Sequence, residues 1–98
     1  PFDVVAVLDG TVISVKNDEL LGNIVEIQHE NDFISVYQSM SEVSVKKDDV
    51  VTQGQIIGKT GENKLDANLK NHLHFELFHK GQVVNPENYF EKTLQEQE

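Results

Sequence analysis

The 98-residue sequence contains no cysteine, so neither disulfides nor a thiol nucleophile contribute to its fold or chemistry. That absence leaves the compartment open, because cysteine-free domains occur in reducing and oxidising surroundings alike. Basic side chains are scarce: 8 Lys and Arg stand against 17 Asp and Glu, a formal charge of -9. Such a balance repels nucleic-acid phosphates and anionic lipid headgroups, which argues against polyanion binding. No apolar run approaches the ~20 residues that cross a bilayer. The opening Pro1-Phe2-Asp3 also lacks the basic and then apolar stretches of a signal peptide. A start in mid-pattern without methionine leads us to expect a piece of a longer protein, with any membrane anchor upstream. A Gly-x-Ser-x-Gly elbow and a phosphate-cradling glycine loop are missing too, which leaves those two chemistries without support.

What is present reads as one all-β domain with a modest core. We place it at residues 1–90, followed by a polar tail, 91–98, expected to fray. Short alternating runs rich in Val and Ile, separated by Gly, Asn and Asp, are the pattern of an antiparallel sheet. Phe2–Leu8 reads as a strand, Asp9-Gly10 as a tight hairpin turn, and Thr11–Lys16 as the returning strand. Asn23–His29 and Phe33–Gln38 form the next hairpin around Glu30-Asn31-Asp32. Lys46-Lys47-Asp48-Asp49 is expected to be a solvated turn. In Gln55–Gly61 the glycines signal a bend or a close backbone approach. Glu62–Asn71 is polar throughout and reads as a loop, and His72–His79 is the last strong strand. Val83-Val84 is a short segment between turns, and Pro86–Phe90 can start a short helix.

The side chains with most chemical promise lie on the last strong strand. Alternation puts His72, His74, Glu76 and Phe78 on one face and Leu73, Phe75 and Leu77 on the other. Two histidines at i and i+2 can address one metal ion or its bound water, but a catalytic zinc takes three protein ligands and an open position. From spacing alone the pair reads more readily as two surface imidazoles on a half-exposed strand. The remaining donors are thin. His29 reads as a solvated histidine at a strand end, and His79 falls on the face opposite His72 and His74 by parity. Asp3 and Asp66 have no spacing that singles them out. Residue types and spacing alone therefore do not support catalysis.

The order of segments carries more. Asp9-Gly10-Thr11-Val12 is followed by Leu21–His29, Val36-Tyr37-Gln38-Ser39-Met40, Gly54–Gly61, Asn71-His72-Leu73-His74-Phe75-Glu76 and Val84-Asn85-Pro86. This order resembles the lysostaphin-like, or LytM-type, zinc endopeptidase family over about residues 3–90. The resemblance implies an antiparallel sheet groove, the duplicated hybrid motif, with a short C-terminal helix. It also implies a zinc site built from an upstream His-x-x-x-Asp, a histidine in Tyr-x-His-Leu, and the final His-x-His.

By that resemblance His74 matches a zinc ligand, and His72 matches the histidine that orients the attacking water. In the Tyr-x-His-Leu segment, however, Ser39 stands where the family has histidine. No histidine precedes His29, so both residues of His-x-x-x-Asp are missing. His72 and Ser39 are expected to be relic catalytic positions and His74 a relic ligand, with no metal, no cofactor and no enzymatic activity.

The departure itself is similar to non-catalytic sporulation members of the family. It implies a forespore membrane protein whose domain lies between forespore and mother cell and binds a ring-forming mother-cell protein to build a channel. Residual peptidoglycan contact would be a second interaction. The alternative is a zinc endopeptidase acting on peptidoglycan peptides, with the missing ligands supplied upstream. A third class, suggested by the likeness of Val50–Gly58 to the hinge of lipoyl carrier domains, lacks the lysine those domains carry at a hairpin tip.

Overall fold

Alternation of branched apolar with polar residues produces eight strands among the residues described, 3–61 and 73–86, in a computed structural model of the chain. They are β1 (Asp3–Val5), β2 (Gly10–Asp18), β3 (Gly22–Gln28), β4 (Phe33–Val43), β5 (Val50–Val51), β6 (Ile56–Thr60), β7 (His74–His79) and β8 (Gln82–Val84). All pair antiparallel in one sheet of order β1-β6-β4-β3-β2-β5, with β7 on β4 and β8 on β7. No described helix is long and apolar enough to cross a membrane. The all-β reading holds. The expected loop at Glu62–Asn71, the C-terminal helix and the tail fall outside the described residues.

The eleven-residue β4 organises this sheet. One of its edges carries β3, while the other is divided between β7, which pairs with Phe33–Gln38, and β6, which pairs with Met40–Val43. The sheet curls so that Val4, Val12, Val25, Ile27, Tyr37, Met40, Val51 and Ile57 enclose one core. Val12, Val25, Ile27 and Ile57 are fully buried.

The expected first hairpin does not form. β1 pairs with β6, and β2 pairs with β3 and β5. The backbone of Ala6 explains this: its N–H donates to the Gln55 carbonyl at 2.9 Å and its carbonyl accepts from Gly54 N–H at 2.8 Å. Those bonds carry β1 away from β2 before a turn can close. Gly10 lies within β2, where it is needed for closeness instead of turn geometry. A Cβ there would overlap the Gln28 carbonyl and come 2.8 Å from His29 Nδ1.

The second expected hairpin is present as β3 and β4, joined by the 3-10 turn Glu30–Asp32. The β2–β3 turn is held by Asp18, whose carboxylate accepts from Leu20 N–H at 2.8 Å and Leu21 N–H at 2.9 Å. These two bonds hold its carboxyl below the ordinary value.

Gly58 is the close approach foreseen in β6. A Cβ there would penetrate the Glu42 backbone carbonyl and the Met40 methyl group, and a backbone atom cannot step aside cheaply. Gly58→Ala should therefore destabilise the domain by about 3 kcal/mol, the upper range for overpacking. Urea unfolding will show this as a lower midpoint with an unchanged slope.

Candidate functional site

β7 displays the expected two faces. Leu77 is buried, and Leu73 and Phe75 pack on the core, while His74 is exposed. His74 Nε2 lies 3.7 Å from Glu76 Oε1 on the same face. Pairing with β4 runs without a bulge from Gln38↔His74 to Phe33↔His79, so His79 keeps the opposite parity to His74. Its ring stacks on Phe33 at 4.1 Å. Asp3 lies exposed on the edge strand β1. His72 and Asp66 fall outside the described residues.

Ser39 occupies a bulge in β4. Between the pairs Val25↔Tyr37 and Asn23↔Met40, β4 holds one residue more than β3, a device that re-aims side chains beside functional sites. The extra residue places Ser39 at φ 66, a left-handed conformation that costs an L-residue roughly 1–2 kcal/mol. Backbone bonds hold it there: its N–H donates to the Leu21 carbonyl at 2.8 Å, and its carbonyl accepts from Gly61 N–H at 2.7 Å. The side chain is fully buried. Its hydroxyl has no hydrogen-bond partner among the described residues.

Zinc is the metal that the sequence resemblance implies, and the described residues do not fit it. A zinc centre draws three or more donors together, yet no such group of His, Cys, Asp or Glu occurs among them. The Ser39 hydroxyl cannot replace an imidazole in either reach or basicity.

His29 requires a correction. It is 7% exposed, not a solvated strand-end residue. Its Nδ1 donates to the Asp9 carbonyl at 2.8 Å, an assignment fixed because a carbonyl can only accept. Its Nε2 lies 2.7 Å from Ser35 Oγ, which lies 2.8 Å from the Tyr37 hydroxyl. Tyr37 also accepts from Val7 N–H at 3.1 Å. Period-two alternation carries the signal for this: His29 continues the inward face of Val25 and Ile27, whose partners are Tyr37 and Ser35. The network ties the segment before β2 to β3 and β4. The Tyr37 ring meets Phe75 edge-on at 5.4 Å. Burial, offset in part by the bonds from Ser35 and Val7, pushes the Tyr37 hydroxyl above its ordinary pKa of 10.0.

Residues 2–86 match the model of Peptidase family M23. Stage II sporulation protein Q of Bacillus subtilis is 45% identical over 93 residues, covering 95% of this chain and 33% of that protein. Peptidoglycan DD-endopeptidase ShyA of Vibrio cholerae is 39% identical over 77 residues, covering 79% of this chain and 17% of that protein. The chain thus spans about a third of the sporulation relative's length. Among solved structures, the SpoIIQ–SpoIIIAH pore-forming complex matches with a TM-score of 0.85 and 46% identity, over 90% of this chain and 56% of that one. A zinc-containing peptidase from Vibrio cholerae matches at 0.74 and 29% identity, over 86% of this chain and 26% of that one.

Two substitutions test the interior of the site. Ser39→Ala removes a buried hydroxyl that has no partner among the described residues, so stability should rise by about 1 kcal/mol, read as a higher urea midpoint. Tyr37→Phe leaves Val7 N–H without an acceptor and should cost about 1–3 kcal/mol. Because the folded-state pKa of Tyr37 is raised, its stabilisation is complete below pH 10.0, the ordinary value, and declines as pH rises toward the folded-state value. Thermal melts above that pH should fall more steeply for the wild type than for Tyr37→Phe.

Proposed function

This chain belongs to peptidase family M23, and from the way its site departs from the family's chemistry we propose that it is a non-catalytic binding domain of a sporulation protein. Ser39 carries the reading. Where the family pattern places a histidine, this chain holds a buried serine in a left-handed bulge with an idle hydroxyl. Proton transfer by a positioned histidine contributes ~10² to 10⁴ in rate, and serine provides none of it. His72 and Ser39 are then relic catalytic positions and His74 a relic ligand, and no cofactor is needed.

The proposed partner is stage III sporulation protein AH, SpoIIIAH, a ring-forming mother-cell protein. Support comes from the 45% identity to stage II sporulation protein Q and from the likeness to SpoIIQ in its pore-forming complex with SpoIIIAH. The domain would lie in the space between forespore and mother cell, held by a membrane anchor upstream, and would help to build the channel between them. Strand addition is a docking mode that needs no catalytic residue. The outer edge of β2 beyond Val12 suits it, since among the described residues β5 covers Gly10 and Thr11 and the Asp48-Asp49 turn covers Val12.

A second reading, a zinc endopeptidase acting on peptidoglycan peptides, draws on the 39% identity to ShyA and on the retained His74. It requires ligands from a longer chain. Calorimetry with the soluble SpoIIIAH domain should give a Kd of about micromolar or tighter, roughly 8 kcal/mol of binding. Absence of heat at that concentration would sink the binding reading. Metal analysis of a longer protein that includes the upstream segment should find no stoichiometric zinc, and one zinc per chain would revive the peptidase.

A further inference from the structure

A groove of about 760 Å³ opens at the end of the sheet away from Ser39 and His74, between Leu8–Thr11, Gln28–Phe33 and Val50–Gln53. From Phe33 to Ser39 is six steps along β4, ~20 Å at about 3.3 Å per residue, so the two places share no side chain.

Three bonds fix its walls. The Asp9 carbonyl accepts from His29 Nδ1 at 2.8 Å, Asp9 Oδ1 accepts from Gln53 N–H at 2.7 Å, and His29 N–H donates to the Phe33 carbonyl at 2.8 Å. A groove built this way needs little reorganisation to receive a ligand. Its turn also holds two consecutive left-handed residues, Asn31 at φ 61 and Asp32 at φ 62, and strain of this kind collects at functional sites.

The lining has one charge sign and one apolar wall. Asp9 and Glu30 contribute carboxylates, and among the described residues no Lys or Arg lines the groove. Leu8, Phe33 and Val50 supply the apolar surface, and Val50 stands 77% exposed on a two-residue strand. Holding a branched apolar side chain in water on the wall of an acidic groove does nothing for the core.

We infer that this groove binds an extended protein segment in which an arginine or lysine is flanked by apolar side chains. The aliphatic stem lies along Val50 and Leu8, and the cationic head meets Asp9 and Glu30. An anionic segment is repelled by the same carboxylates.

The probe is the capped pentapeptide Leu-Arg-Val-Arg-Leu, titrated into the ¹⁵N-labelled full chain at about 0.15 M salt, where loose surface attraction is screened. Saturable amide shifts should centre on residues 8–11, 28–33 and 50–53. The double variant Asp9→Asn, Glu30→Gln keeps an oxygen acceptor for Gln53 N–H and should weaken binding at least about tenfold through lost charge-assisted bonds. Val50→Ser should weaken it about threefold through lost apolar contact. The matched peptide Leu-Glu-Val-Glu-Leu should leave the spectrum unchanged. Shifts scattered over the acidic surface, shifts centred on Ser39 and His74, no saturation, or equal affinity in the double variant would each overturn the inference.

Discussion

β4 hydrogen-bonds to three strands at once, with β3 along one edge and β7 and β6 sharing the other. The division between them falls at the bulge that contains Ser39, held by Leu21 from one side and Gly61 from the other. The curl of the sheet, the single core and the placement of Ser39 all follow from that arrangement. This is why the strain at Ser39 persists with no bond from its side chain in return: the surrounding ladder fixes the backbone whichever side chain is present.

Just before Ser39 on the same strand, polar groups are buried and satisfied. His29, Ser35 and Tyr37 join the segment before β2 to the sheet interior, and Gly10 makes room for the imidazole. The contrast between the neighbouring positions is informative. Around Tyr37 each buried polar atom has a partner, as a structural network requires. At Ser39 the buried hydroxyl has none among the described residues. The proposed non-catalytic role rests on that contrast.

Much of this was legible in the residues. Strict alternation in β7 separated His74 and Glu76 from Leu73, Phe75 and Leu77 without coordinates, and the parity of His79 followed from the same count. The β3–β4 hairpin was equally plain, because two alternating runs flank a polar turn. The strand-end position of His29 suggests a solvated residue, whereas its parity with Val25 and Ile27 puts it inside. Asp9-Gly10 suits a turn, but the bonds that take β1 to β6 come from Gly54 and Gln55, more than forty residues away in sequence.

Order and period alone establish the all-β class, the β3–β4 hairpin and the faces of β7, since alternation needs no third dimension to be read. Only the tertiary structure decided that Ser39 is buried and left-handed, that Gly10 and Gly58 are required by backbone contact, and that His29 lies inside. Each depends on groups brought together from distant segments, and neither composition nor local periodicity records which backbone atoms will meet.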